Sequence, residues 1–118
     1  MTVVLIALGA AIGAPLRYLV DRAVQARHRT RFPWGILTVN VAGSFLLGVL
    51  VAAPVPPAVA TMAGTGFCGA LTTYSTFSHD TMALARTGAY RHAVGNVAAN
   101  LIAGLGAAWV GMLIGGLW

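Results

Sequence analysis

Four long apolar runs, residues 3–20, 34–53, 58–84 and 93–116, take up most of this 118-residue chain. Each is near or above the ~20 residues with which a helix crosses a hydrocarbon core of ~30 Å. A composition of 58% hydrophobic and 8% charged residues supports the same setting, because such a chain would aggregate in water. The expected fold is an all-α integral membrane protein: a single domain, 1–118, of four transmembrane helices. The first run is expected to remain in place. No basic residue precedes it, and Arg17 and Tyr18 close it where a cleaved leader would carry small residues.

The connections are short. Pro54-Val55-Pro56-Pro57 stops the second run, since proline lacks the N–H and restricts its predecessor, so spans 2 and 3 should form a hairpin. Residues 21–33 carry Asp21, Arg22, Arg27, His28, Arg29 and Arg31 ahead of Phe32-Pro33-Trp34, which reads as a solvated loop meeting an interfacial aromatic anchor. All seven basic residues are arginines, at 17, 22, 27, 29, 31, 86 and 91. With four spans they gather on one side, so both termini should lie outside and the basic loops in the cytoplasm. The basic run is therefore a topology signal rather than a nucleic-acid patch. The lone Cys68 excludes an internal disulfide and is expected as a small buried residue.

The third run is interrupted by Gly66-Phe67-Cys68-Gly69-Ala70-Leu71-Thr72-Thr73-Tyr74-Ser75-Thr76-Phe77-Ser78. A glycine-broken, hydroxyl-rich stretch persists at bilayer depth only where it is packed in protein or lines a site, so the third helix should break near mid-membrane at an ion site.

Small and polar residues recur at steps of four. Gly9, Gly13, Arg17 and Asp21 share one face of span 1; Asn40, Ser44 and Gly48 do so in span 2; Asn96, Asn100, Gly104 and Ala108 do so in span 4. For the glycines this spacing predicts close helix packing. An amide in lipid needs partners on its donors and its acceptor, so the asparagines should face the bundle interior or a wet path. Arg17 can snorkel to the headgroups or pair with Asp21 one turn on. His79 and Asp80 suit an interfacial or capping place. The chain has no glutamate and neither aspartate sits mid-span, which disfavours proton antiport, and no nucleophile–base arrangement supports an enzyme.

At these residues the chain resembles the small bacterial fluoride channels, the Fluc or CrcB family, over essentially its whole length. The resemblance rests on Gly9-Ala10-Ala11-Ile12-Gly13-Ala14-Pro15-Leu16-Arg17-Tyr18, on the stretch from Trp34 through Asn40 and Ser44 to Gly48, and on the broken third span. It implies an antiparallel dimer of four-span subunits in the bacterial inner membrane, with fluoride as the permeating ion and a structural Na+ at the centre. Gly69 and Thr72 would give backbone carbonyls to that sodium. Asn40 would line the pore, Ser75 and Thr76 would continue a polar track, Tyr74 and Phe77 would occupy the positions of paired pore phenylalanines, and Arg17 would stand near the wide entrance. The chain departs from the family at Tyr74, where phenylalanine is usual. It departs again at Asn96 and Asn100, which stand where many members place a pore tyrosine and a serine.

The chemistry implied is coherent, because fluoride is small and strongly hydrated and a pore must replace its water with donors. Aromatic edges can favour an anion in a dry constriction, and a buried cation offsets part of the desolvation cost. An antiparallel homodimer requires one sequence to insert both ways, whereas the arginine bias here is one-sided. A heterodimer with a related chain of reversed bias is therefore expected. Two other classes stay open: a small proton-coupled multidrug-type antiporter and a non-transporting structural membrane protein.

Overall fold

The computed structural model describes residues 1–27, 32–72 and 74–117, with the side chains of residues 74–76 outside that description. Among the described residues all regular structure is helical: α1 (Thr2–Arg27), α2 (Trp34–Ala52), α3 (Pro57–Leu71), α4 (Tyr74–Arg86) and α5 (Tyr90–Gly115). Helices α1, α2 and α5 are long and apolar enough to cross a membrane. The third apolar run forms two shorter helices, α3 and α4, and the interruption falls in the glycine- and hydroxyl-rich stretch where it is expected.

Prolines set the α2–α3 boundary. Ala53, which precedes Pro54, is extended at φ −80° and ψ 148°, and Pro57 opens α3 at a position where its missing N–H costs nothing. The expectation of a solvated loop over 21–33 needs correction at its start, because α1 continues to Arg27. Nothing between Asp21 and Arg27 breaks a helix, and Arg22 folds back one turn, donating to the Tyr18 hydroxyl at 2.8 Å with its guanidinium 5.6 Å from the ring centre. His28, Arg29 and Arg31 lie outside the described residues. Arg91 and His92 belong to the first turn of α5.

The stripes of small residues pack as their spacing predicts. A Cβ on Gly9 would collide with the Met62 carbonyl oxygen, one on Gly13 would stand 2.5 Å from the Phe67 carbonyl oxygen, and one on Gly66 would stand 2.6 Å from that of Ile6. Helices α1 and α3 therefore run parallel with their backbones in contact. Helices α2 and α5 do the same, Gly48 abutting the Ala108 carbonyl and Gly111 that of Phe45. A compact apolar cluster of Ile36, Val39 and Leu71, joined by Val20, Phe67 and Phe77, ties α1 and α2 to both halves of the broken run. Large side chains such as Ile12, Leu19, Ile102, Leu105 and Trp109 point outward, as lipid-facing residues do.

The α4–α5 turn is closed by Gly88 at φ +80°. The Ala89 N–H reaches the Leu84 carbonyl at 2.8 Å and the Gly88 N–H reaches Ala85 at 3.1 Å, while Leu84 and Ala89 pack together. This is a Schellman ending, which needs a left-handed residue. No atom lies within 4 Å of a Cβ at this position, so any penalty there is conformational. Gly88→Ala is expected to cost about 1 kcal/mol and Gly88→Asn less, read as thermal unfolding midpoints in detergent.

Candidate functional site

Among the described residues, Thr72 makes the break. Residues Ala60–Cys68 form a wide π turn within α3, and the Gly69 N–H completes it by donating to the Gly64 carbonyl. At Thr72 the backbone turns extended, with φ −77° and ψ 152°. Its N–H and its hydroxyl both donate to the Cys68 carbonyl, at 2.9 and 2.8 Å, so the side chain caps the helix it ends. Two residues later Tyr74 begins α4. A helix C-terminus, with partial negative charge, thus stands next in the chain to a helix N-terminus with partial positive charge.

A groove of about 540 Å³ runs beside this break. Helix α2 contributes Asn40, Ser44 and Leu47, α3 contributes Thr65 and Gly69, the break contributes Thr72, α4 contributes Phe77, and α5 contributes Asn100 and Leu101. Of the residues singled out from the sequence, the groove gathers Asn40, Gly69, Thr72, Phe77 and Asn100. Its described lining holds polar groups but no Asp, Glu, His, Lys or Arg. Gly69 faces open space, with no atom within 4 Å of a Cβ position, and the Thr72 methyl group fills the hollow at Gly43. Cys68 is buried, 2% exposed, as its size and setting predict.

Asn96 is placed differently. It is fully buried behind Asn100, to which it is hydrogen-bonded, and does not itself line the groove. Arg17 does not join the groove lining either: its guanidinium donates to the Ala70 carbonyl at 3.3 Å, in the last turn of α3. A cation at a helix C-terminus is favourable, so Arg17 offsets the partial charge of the broken end. The side chains of Tyr74, Ser75 and Thr76 lie outside the described residues, although their backbone forms the first turn of α4.

The asparagine stripes of α2 and α5 meet. Asn40 Nδ2 donates to Asn100 Oδ1 at 2.8 Å, and Asn100 Nδ2 donates to the Asn96 main-chain and side-chain oxygens at 2.8 and 2.9 Å. Asn96 Nδ2 then donates to the Thr81 hydroxyl at 2.8 Å. Thr81 is the member that sequence reasoning missed. Its signal is its place one turn beyond Phe77 and one turn before Leu84, a hydroxyl on the face of α4 opposite to that of Ser75, His79 and Arg86.

A second cavity of about 400 Å³ is lined by Asp21 and Gln25 of α1, by Pro33, by Asp80 of α4 and by Thr87 just after it. It marks the end of the bundle where the α1–α2 connection meets the α4–α5 turn. Phe32 lies there, its ring 6.5 Å from that of His92. The described arginines in the helix ends that flank these two connections, Arg22, Arg27, Arg86 and Arg91, therefore belong to one end of the molecule.

This architecture, long apolar helices around an interrupted one with a groove of uncharged polar and apolar residues at the break, defines a multi-pass helical membrane protein. The family model described as CrcB-like protein, Camphor Resistance (CrcB) matches residues 4–112, and the chain belongs to that family. It is 54% identical over 112 residues to the Fluoride-specific ion channel FluC 1 of Thermobifida fusca, covering 95% of this chain and 93% of that relative. To the protein of the same name from Frankia casuarinae it is 53% identical over 120 residues, covering 94% and 93%. To the Fluoride-specific ion channel FluC of Vibrio parahaemolyticus it is 46% identical over 111 residues, covering 90% and 87%.

Proposed function

We propose that this protein is a fluoride-selective channel that lets cytoplasmic fluoride leave the cell passively, rather than an enzyme or a proton-driven exporter. The observation that carries the reading is the groove: amides, hydroxyls and an aromatic ring gathered at a broken helix, without a titrating carboxylate, imidazole or amine among its described lining residues. Proton-coupled transport uses ionisable groups at such a place, whereas a strongly hydrated anion needs donors to replace its water. The names carried by relatives that share about half of their residues with this chain support the choice of anion.

In this reading α3 and α4 together make the fourth crossing, and the pore is completed by a second subunit lying antiparallel. Asn40 offers its amide to the passing ion and Phe77 a ring edge, with Ser75 and Thr76 extending the polar path from the first turn of α4. The carbonyls of Gly69 and Thr72 are suited to a structural sodium ion. Gly69 belongs to the last turn of α3 and Thr72 leaves the helix in an extended conformation, so both are at the end where helical carbonyls run out of intrahelical donors. One chain brings two such oxygens and an antiparallel pair brings four. A sodium ion held there supplies fixed positive charge that lowers the cost of an anion in a low-dielectric path.

The protein sits in the bacterial inner membrane with both termini outside and its arginine-rich end in the cytoplasm. Because that end is so uneven in charge, its antiparallel partner is a related chain of reversed arginine bias. Fluoride efflux from liposomes, read with a fluoride electrode against a chloride control, tests the proposal. Efflux only when such a partner is added supports both the channel and the heterodimer, and efflux from this chain alone supports the channel but removes the heterodimer. Silence in both conditions favours a non-transporting role.

A further inference from the structure

Arg22 is turned against the usual direction for a cation at the end of a membrane helix. A long basic side chain in that place ordinarily reaches away from the hydrocarbon, toward water. Here the guanidinium folds back one helical turn toward the apolar run, donating to the Tyr18 hydroxyl at 2.8 Å with its carbon 5.6 Å from the ring centre. Both residues stand on the outer face of α1. Val4, Leu8, Ala11, Pro15, Tyr18 and Arg22 follow one another at steps of three and four, so they share one side of the helix, and all six are exposed. The buried residues of α1, Gly9 and Gly13, lie on the opposite side, against α3. The face that carries Arg22 is therefore turned to lipid, at the level where the apolar run ends.

The chain offers this charge no acidic side chain. It has two carboxylate side chains, Asp21 and Asp80. Both line the second cavity, and Arg22 does not. A guanidinium carries five N–H donors, and among the described residues this one gives a single bond, to Tyr18. The phenol oxygen accepts that bond and keeps its own proton to give. What the pair presents to the lipid is thus a planar fork of N–H groups with an O–H beside it, a donor set that matches the oxygens of a phosphodiester. Leu8, Ala11 and Pro15 continue the face as an apolar wall, which the acyl chains of a lipid cover and a free phosphate ion does not. We infer that Tyr18 and Arg22 form a binding site for the headgroup phosphate of an anionic glycerophospholipid. A zwitterionic headgroup fits less well, because its ammonium would bring a second positive charge to a place with no acid to receive it.

The test holds the full-length protein on a resin in neutral detergent and titrates it with phosphatidylglycerol at high salt, which screens charges that are not in contact. Bound lipid is extracted and counted per protein by mass spectrometry. Arg22→Gln is expected to weaken binding about tenfold, and Tyr18→Phe, which keeps the ring and loses the hydroxyl, about fivefold. Both side chains are exposed, so neither change disturbs the packing of the bundle. Arg27→Gln removes the same charge from the same helix on a different side and should leave the affinity unchanged. Phosphatidylcholine should bind about tenfold more weakly than phosphatidylglycerol to the unaltered protein. Unchanged affinity in Arg22→Gln, or an equal loss in Arg22→Gln and Arg27→Gln, overturns the inference, the second because net charge alone would then attract the lipid. Equal binding of phosphatidylcholine overturns it as well. So does release of the lipid by inorganic phosphate at matching concentration, which would make the pair a site for a free anion.

Discussion

Gly9→Ala is expected to separate α1 from α3 and to cost about 3 kcal/mol of stability, a large share of what holds so small a bundle together. A Cβ at this position collides with the Met62 carbonyl oxygen and stands 2.7 Å from the Phe67 nitrogen and 3.0 Å from the Gly66 carbonyl carbon. Every one of these atoms is backbone, so no side chain can rotate away, and the helices themselves must move. In a membrane, close backbone approach is a main source of helix association, because lipid tails offer apolar surface as good as leucine. Gly66→Ala should act in the same way, since its Cβ would lie 2.6 Å from the Ile6 carbonyl oxygen and 3.1 Å from the Gly9 Cα. Once the helices have parted to admit one methyl group, the second has room, so the double substitution should cost less than the sum. Gly106→Ala, where no atom lies within 4 Å of the added carbon, is the control and should be neutral or slightly stabilising. Thermal unfolding in detergent checks all four variants, and a Gly9→Ala midpoint equal to that of the Gly106→Ala control would refute the packing account.

The second large effect is expected at Asn96. Replacing this fully buried amide by leucine removes the donor to the half-buried Thr81 hydroxyl, which keeps only its bond to the Phe77 carbonyl, and one of the two acceptors of Asn100, whose amide proton then faces leucine. Each unsatisfied buried group costs about 1–3 kcal/mol, so Asn96→Leu should lose about 3 kcal/mol in all. Adding Thr81→Val to Asn96→Leu should cost less than the two separately, because the second change removes one of the orphaned groups. Asn100 keeps its bond to the Asn96 main-chain carbonyl in the variant and is held less firmly at the groove. On the fluoride-channel proposal, efflux should therefore fall as well, even though Asn96 does not line the groove. Unfolding midpoints of the two single variants and the double variant measure the coupling, and strict additivity would mean that Asn96 and Thr81 do not act as one unit.

Much of the fold is legible in the residues because membrane solvent leaves few options. Apolar runs long enough to cross have to be helices, Pro54 and Pro57 mark where one stops and the next starts, and the glycine- and hydroxyl-rich stretch after Gly66 marks the interruption. The steps of four at Gly9, Gly13, Asn40, Ser44, Gly48 and Asn96 name the buried faces, because side chains four apart share one side of a helix. The end of α1 was less legible. Charge between Asp21 and Arg27 reads as solvated loop, yet a helix that has left the apolar layer can continue in water when no residue breaks it.

The sequence alone determined that the chain is a set of membrane helices with one interrupted, which faces of them are small or polar, and to which family the pattern belongs. It could do so because those properties follow from each helix's own periodicity and from its solvent. Only the tertiary structure decided that Asn40 meets Asn100, that Asn96 is sealed while its neighbours border the groove, that Arg17 reaches the Ala70 carbonyl, and that Thr81 ends the chain of amides. A stripe at helical spacing says which side of its own helix is buried. Which stripe it faces, and at what height, depends on how far each helix is rotated and slid when the glycines let the backbones touch.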